Sequence, residues 1–352
     1  MSNYFLGGTS ASGFQTKFHE VIGAPGYFTY ILKGGPGTGK STLMKKVAAH
    51  FGDSEIDRYF CSSDIHSLDA VVLHDKRVIL VDGTAPHVFN AERPGIAQVL
   101  LDLGMNWERG KLLKQESSIR SAAFENARYH RRAKSFAAAL SALSGSIYDQ
   151  AKDRLIPAEL AGIVNGMTDY LPESAFRGGS GHCRYRQLAA ITSEGYVTQP
   201  APKGMRIFGI LDPFFAAGSL ILQLLKRLLL DMGQEILVSE SVLFPKNRIE
   251  HITVPAINLR FSLLTPLNRL KAAADLDCSI LYAFADGEEE ELSGATETML
   301  SLEQETAYCI GKALLIHDEL EKYYISALDF KALDRITENL IREIEERPQH
   351  TV

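Results

Sequence analysis

Between an aromatic, β-branched stretch and an amphipathic one stands Gly34-Gly35-Pro36-Gly37-Thr38-Gly39-Lys40-Ser41, and no other segment of the 352 residues constrains the fold as much. The run before it, Phe28 to Leu32, reads as a buried strand. The run after it, Lys40 to Phe51, places Leu43, Val47 and Phe51 four apart on one helical face, with Gly52 where a helix stop belongs. Strand, loop and helix in that order fit G-x-x-x-x-G-K-[ST], a loop that cradles phosphate. Its glycines let backbone N–H groups converge on an anion with no Cβ in the way, and the helix N-terminus adds a favourable field. The candidate nucleotide-binding residues are therefore Gly34, Gly35, Pro36, Gly37, Thr38, Gly39, Lys40, Ser41 and Thr42. Lys40 would reach the β- and γ-phosphates, and the Ser41 hydroxyl would ligate Mg²⁺.

A carboxylate follows at a suitable distance. Arg77-Val78-Ile79-Leu80-Val81-Asp82 is an apolar strand ending in an acid, and in nucleotide-binding α/β folds such an Asp belongs to the Mg²⁺ shell. Lys40 and Asp82 are the catalytic candidates, and Ser41 and Asp82 the metal candidates. The interval is expected to hold a strand (Ile56 to Cys61) and a short helix near Ser67 to Val72, a βαβ path to a parallel neighbour.

The chain also resembles itself. Leu6 to Phe14 parallels Leu188 to Tyr196, and Ile31-Leu32 with the glycine loop parallels Ile210 to Ser219. In this register Gly39 falls on Gly218, Lys40 on Ser219, Ser41 on Leu220 and Asp82 on Leu263. The second copy would thus lack the cation, the hydroxyl and the acid, with Phe214 and Phe215 filling the phosphate space. The expected fold is α/β: a parallel P-loop NTPase sheet with helices on both faces, duplicated in tandem, each half with a helical appendage. The active half would span 1–176, with an appendage over about 94–171. A linker would follow at 177–185, then a degenerate half at 186–352 ending in a helical hairpin. Pro94 to Trp107, Lys111 to Leu143, Ser146 to Tyr170, Ser301 to Tyr324 and Asp329 to Glu346 read as helical. Arg206 to Leu211, Gln234 to Ser239, Leu259 to Leu263 and Cys278 to Phe284 read as the second sheet.

A formal charge of −6 argues against a surface that coats nucleic acid. Cys61, Cys183, Cys278 and Cys309 show no C-x-x-C spacing, and the N-terminus lacks the features of a signal peptide, so a cytoplasmic protein with reduced thiols is expected. The apolar stretch Ile207 to Leu225 is broken by Asp212, Pro213 and Gly218, and no membrane association is expected.

The loop, the Val81 to His87 segment, the repeat and the helix His317 to Tyr324 together resemble an uncharacterised bacterial family of predicted ATPases with two tandem P-loop halves. The resemblance covers nearly the whole chain and implies nucleotide binding and a P-loop NTPase fold, without a known substrate. In that family the second half often keeps an intact glycine loop, from which this chain departs at Asp212 to Ser219. Lys33 precedes Gly34 and so lies outside the loop, unlike the signature lysine of partition-type ATPases.

The first functional reading is a Mg²⁺-dependent ATPase or nucleotide switch. A small-molecule or nucleotide kinase and a nucleotide-gated interaction module are the alternatives. ATP is the default and GTP stays open, since no Asn-Lys-x-Asp motif is present. The expected partners are a nucleoside triphosphate and an unidentified small molecule or protein. Gly83, not Glu, follows Asp82, which leaves the hydrolytic base unassigned. Asp64 could face the site or cap a helix; Thr84 and His87 could sense the γ-phosphate. Arg120, Arg128, His130, Arg131, Arg132 and Lys134 make one helix basic, either as a solvated face or as an arginine source for the γ-phosphate. Glu288 to Glu291 reads as a solvated acidic loop, and Glu319, Tyr323 and Tyr324 as packing residues.

Overall fold

A computed structural model describes the chain except residues 1, 11–12, 17, 23, 53–54, 86–87, 168–169, 177, 244–247, 269 and 348–352. In chain order it runs β1 (Ser2–Phe5), β2 (Gly7–Ser10), β3 (Gly13–Thr16), β4 (Phe28–Lys33), α1 (Lys40–His50), β5 (Ile56–Phe60), β6 (Leu68–Leu73), β7 (Val78–Asp82) and β8 (Gln98–Asp102). Helices α2 (Arg109–Leu113), α3 (Glu116–Lys152) and α4 (Pro157–Met167) follow. Then come β9 (His182–Tyr185), β10 (Ala189–Thr192), β11 (Gly195–Thr198), β12 (Arg206–Leu211) and α5 (Ala216–Asp231). The chain closes with β13 (Glu235–Glu240), β14 (Ile249–Val254), β15 (Leu259–Leu264), β16 (Ala274–Asp277), α6 (Glu288–Ile325) and α7 (Phe330–Glu346).

The fold is mixed α/β with two six-stranded sheets, ordered β1-β5-β6-β7-β4-β8 and β9-β13-β14-β15-β12-β16. Position for position the orders match, and so do the senses. β6 and β14 run antiparallel to both neighbours, and the remaining pairings are parallel. Each set also carries a separate strand pair, β2 with β3 and β10 with β11.

The expected parallel sheet is therefore corrected to a mixed one. Only residues 61–67 join β5 to β6 and only 74–77 join β6 to β7. Those links are too short for a parallel crossover, which needs a dozen residues or more, so the strands reverse. Leu68–Leu73, expected as a helix, is buried along its whole length and forms the central antiparallel strand. A short apolar run buried on both faces has no periodicity to separate strand from helix. Gln98–Asp102 is an edge strand within a stretch read as helical, and five residues at a sheet edge are too few for either periodicity to show. β16 and a 3₁₀ turn at Cys278–Leu281 replace the strand expected at Cys278 to Phe284, and β9 lies inside the expected linker.

Contacts divide the chain into two units, residues 1–8, 14–133 and 308–352 in the first and 9–13 and 134–307 in the second. The units thus interleave along the chain, whereas the sequence-derived division is contiguous, and α3 and α6 each contribute one part to each unit. In the first unit, Leu43, Met44 and Val47 of α1 meet Tyr30, Leu32, Val71 and Leu80 of the sheet, and Leu333, Leu340 and Ile344 of α7 close the same core. Each such buried side chain is worth about 1.5–3 kcal/mol. The C-terminal helix therefore packs on α1 and not, as expected, within a second-half hairpin. Glu288 to Glu291 form the first turn of α6, where carboxylates oppose the positive helix end, and Glu288 pairs with Arg154. Ile207 to Leu225 divides into β12, a turn and part of α5. Among the described residues no helix is long and apolar enough to cross a membrane.

Candidate functional site

β4 ends at Lys33, and Gly34 to Gly39 turn the chain into α1. Gly37 and Gly39 have φ of 67° and 78°, in the left-handed region. A Cβ at Gly39 would lie 2.7 Å from Leu333 Cδ2, and one at Gly37 would lie 3.0 Å from the backbone oxygen of Glu321. Conformation and the close approach of α7 and α6 both demand glycine there. Thr38 is buried and its hydroxyl donates to Gly35 O at 2.9 Å. Lys40 is the first residue of α1. Its ammonium folds into the loop, donating to Gly34 O at 2.7 Å and Gly35 O at 3.0 Å, and lies 3.7 Å from Asp82 Oδ2. Ser41 Oγ accepts from Leu68 N–H at 3.0 Å, tying α1 to the start of β6, and Thr42 is exposed.

β7 is the immediate neighbour of β4, with Leu32 opposite Asp82. Asp82 Oδ1 accepts from the backbone N–H of Thr84 at 2.8 Å and from its hydroxyl at 2.5 Å, which leaves Oδ2 toward Lys40. Thr84 therefore orients Asp82. The Ser41 hydroxyl and the Asp82 carboxylate are hard oxygen donors of the kind Mg²⁺ takes. Lys33 donates to Gly83 O at 2.5 Å and Phe89 O at 2.9 Å, pinning the segment after Asp82. His87 lies outside the described residues.

Asp64 caps a turn: its carboxylate accepts from His66 N–H at 3.0 Å and Ser67 Oγ at 2.5 Å, and a strand follows, not the helix expected for a cap. On α3, Arg120 and Arg128 pair with Glu116 and Glu125 of their own helix at 3.9 and 3.0 Å, and Arg128 and Arg132 flank the Tyr129 ring. Those contacts are what a solvated face makes.

Sequence reasoning missed the last turns of α6. Glu321 Oε1 accepts from the backbone N–H of Gly37 at 3.0 Å. His317, Asp318 and Glu321 hold ligand atoms within 4.8 Å of one another. The Asp318 carboxyl is pushed up by burial and by the charges of Glu321 and Asp64, partly offset by His317 and Lys322. Glu319 pairs with Lys322 in solvent, while Tyr324 packs on Trp107 at 5.0 Å between ring centroids. Trp107 also lies against Gly35, 3.0 Å from where a Cβ would stand. Nothing local in the sequence signals these contacts, because Glu321 is 284 residues from Gly37.

In the second unit the connection from β12 to α5 is Asp212 to Phe215. Phe215, at φ 68°, is the left-handed residue before the helix, as Gly39 is in the first. Residue for residue along the helices, Lys40 and Ser41 therefore correspond to Ala216 and Ala217. Leu211 pairs with Leu264, as Leu32 pairs with Asp82. The sequence register, which set Ser219, Leu220 and Leu263 at those places, is corrected because the second turn is shorter. Leu263 instead packs so closely on Gly218 that a Cβ there has no room.

The turn carries its own acid. Asp212, fully buried, accepts from Phe214 N–H at 3.0 Å, Gly218 N–H at 2.8 Å and the Tyr282 hydroxyl at 2.8 Å. Tyr282 Oη in turn accepts from Ala217 N–H at 2.8 Å. Phe214 packs edge-on against Tyr282 and Phe284.

Compared with known proteins, the chain matches no family model, no curated protein and no solved structure.

Proposed function

We propose that the chain is a P-loop nucleoside triphosphatase or nucleotide switch that binds one MgATP, through Gly34 to Thr42. One observation carries the reading. A strand, a glycine loop and a helix place the Lys40 ammonium 3.7 Å from a carboxylate that ends the neighbouring strand. The loop amides and the N-terminus of α1 would take the phosphate oxygens. Lys40 would leave Gly34 O and Gly35 O for the β- and γ-phosphates, exchanging two neutral acceptors for charged ones. Bound Mg²⁺, for which Ser41 and Asp82 are the residues, would neutralise phosphate charge during transfer. Thr84 holds Asp82 in place for that role.

The second unit is read as a duplicate of the first that has lost its phosphate site. Support comes from the matching strand orders and senses, and from Ala216, Ala217 and Leu264 at the positions of Lys40, Ser41 and Asp82. A cytoplasmic location and an unidentified small-molecule or protein partner belong to the same proposal.

Calorimetric titration with MgATP tests it. One site per chain is expected in the parent, and Lys40→Ala should lose most of the affinity while its unfolding temperature stays within a few degrees, because its ammonium serves chiefly ligand charge. Equal affinity in parent and variant would refute the assignment. Phosphate release without an added acceptor identifies a hydrolase, transfer to an added acceptor a kinase, and binding without turnover a gated module.

A further inference from the structure

Each of the two turns that open onto a helix carries an intrachain carboxyl group on its amides, and the two differ in accessibility, in donors and in origin. Asp212 is inaccessible and takes three donors. Glu321 reaches Gly37 from a distant helix, takes one loop amide, and its side chain is 35% exposed. The first is a permanent plug; the second has room to turn into water. Its own helix offers an alternative partner, His317, whose Nδ1 is already 4.0 Å away. The last turn of α6 also sits directly on the loop. Ile325 Cγ1 and Glu321 O would each be 3.0 Å from a Cβ at Gly37.

We propose that Glu321 is a built-in competitor for the nucleotide: its carboxylate occupies the Gly37 amide in the empty protein and is expelled when phosphate enters the loop. This rests on the reading of Gly34 to Ser41 as a phosphate-binding loop. One backbone N–H cannot serve a carboxylate and a phosphate oxygen at full strength, and the two anions repel at such separation. Part of the binding free energy of the triphosphate is therefore spent on displacing Glu321, and apparent affinity is reduced by the fraction of molecules in which the loop is covered.

The experiment titrates MgATP into the parent chain of 352 residues, Glu321→Gln, Glu321→Ala and Lys40→Ala, by calorimetry and by the fluorescence of Trp107. This is the chain's one tryptophan, and it lies against Gly35. Removing the charge should tighten binding by about 5- to 10-fold in both Glu321 variants, the net scale of one ordinary, partly solvated hydrogen bond. In the parent, MgATP should speed amide exchange over residues 318–325. Unchanged or weaker binding in both Glu321 variants, with a parent that binds and a Lys40→Ala that does not, would overturn the competitor and leave the loop assignment standing. A parent and variants that all fail to bind would overturn the loop assignment itself.

Discussion

Asp212 offers the sharpest test of the second unit. Replacing it by Ala removes one carboxylate and strands three donors: the amides of Phe214 and Gly218 and the hydroxyl of Tyr282. A buried donor left without an acceptor costs about 1–3 kcal/mol. Part of the sum is returned, because the carboxylate no longer has to be held out of water. A net loss of about 3 kcal/mol follows, which for a unit of this size lowers its unfolding temperature by roughly 6–12 °C. Asp212→Asn should lose about half as much, since the amide oxygen still accepts while its NH₂ opposes one N–H. The pH dependence has a definite sign. Burial raises the Asp212 carboxyl above 3.8, against the pull of the Gly218 and Phe214 amides and the Tyr282 hydroxyl. The folded chain then holds this proton more readily than the unfolded chain. The contribution is full below the unfolded value and is lost as pH rises through the folded one. The penalty of Asp212→Ala should therefore be larger near pH 4 than at pH 8. Differential scanning calorimetry of parent and both variants at the two pH values reads it. An unfolding temperature within about 1 °C of the parent, on a scale of 2–4 °C per kcal/mol, would mean that Asp212 does not hold the turn.

Two further outcomes are expected. Asp82→Asn should weaken the Mg²⁺ dependence of nucleotide binding with little effect on binding of the metal-free nucleotide; an unchanged Mg²⁺ titration would remove Asp82 from the metal site. Ile344→Ala, at a fully buried position of α7, should cost about 2–5 kcal/mol in the first unit, and an unaltered thermal transition would show that α7 does not dock on α1.

The glycine loop was legible because its signals are local. Strand, turn and helix lie within some two dozen residues, and Gly34, Gly37 and Gly39 take positive φ values that no other residue meets cheaply. Asp82 was legible for a related reason, since an apolar strand ending in an acid declares both its burial and its exit. The short strands were not. Leu68–Leu73 and Gln98–Asp102 are apolar runs in which burial on two faces, or the edge of a sheet, erases the alternation that separates strand from helix. The similarity of the two halves was visible in the sequence, but the register read from it differs from the structural one, because the second turn is shorter than the first and the left-handed position is held by Phe215 instead of a glycine.

The sequence by itself determined where a strand, a glycine turn and a helix follow one another and that an apolar strand ends in Asp82. These depend on residue type and near-neighbour spacing, which a linear chain states outright. Only the tertiary structure decided that β6 reverses the sheet, that α7 returns to cover α1, and that Glu321 and Asp212 stand on the amides of their turns. The docking of α7 and the reach of Glu321 come from contacts between distant residues, 284 positions apart for Gly37 and Glu321; the reversal at β6 and the place of Asp212 come from short connections whose geometry only the folded sheet fixes. Such contacts are selected by which surfaces can be buried together and which buried N–H groups still need an acceptor.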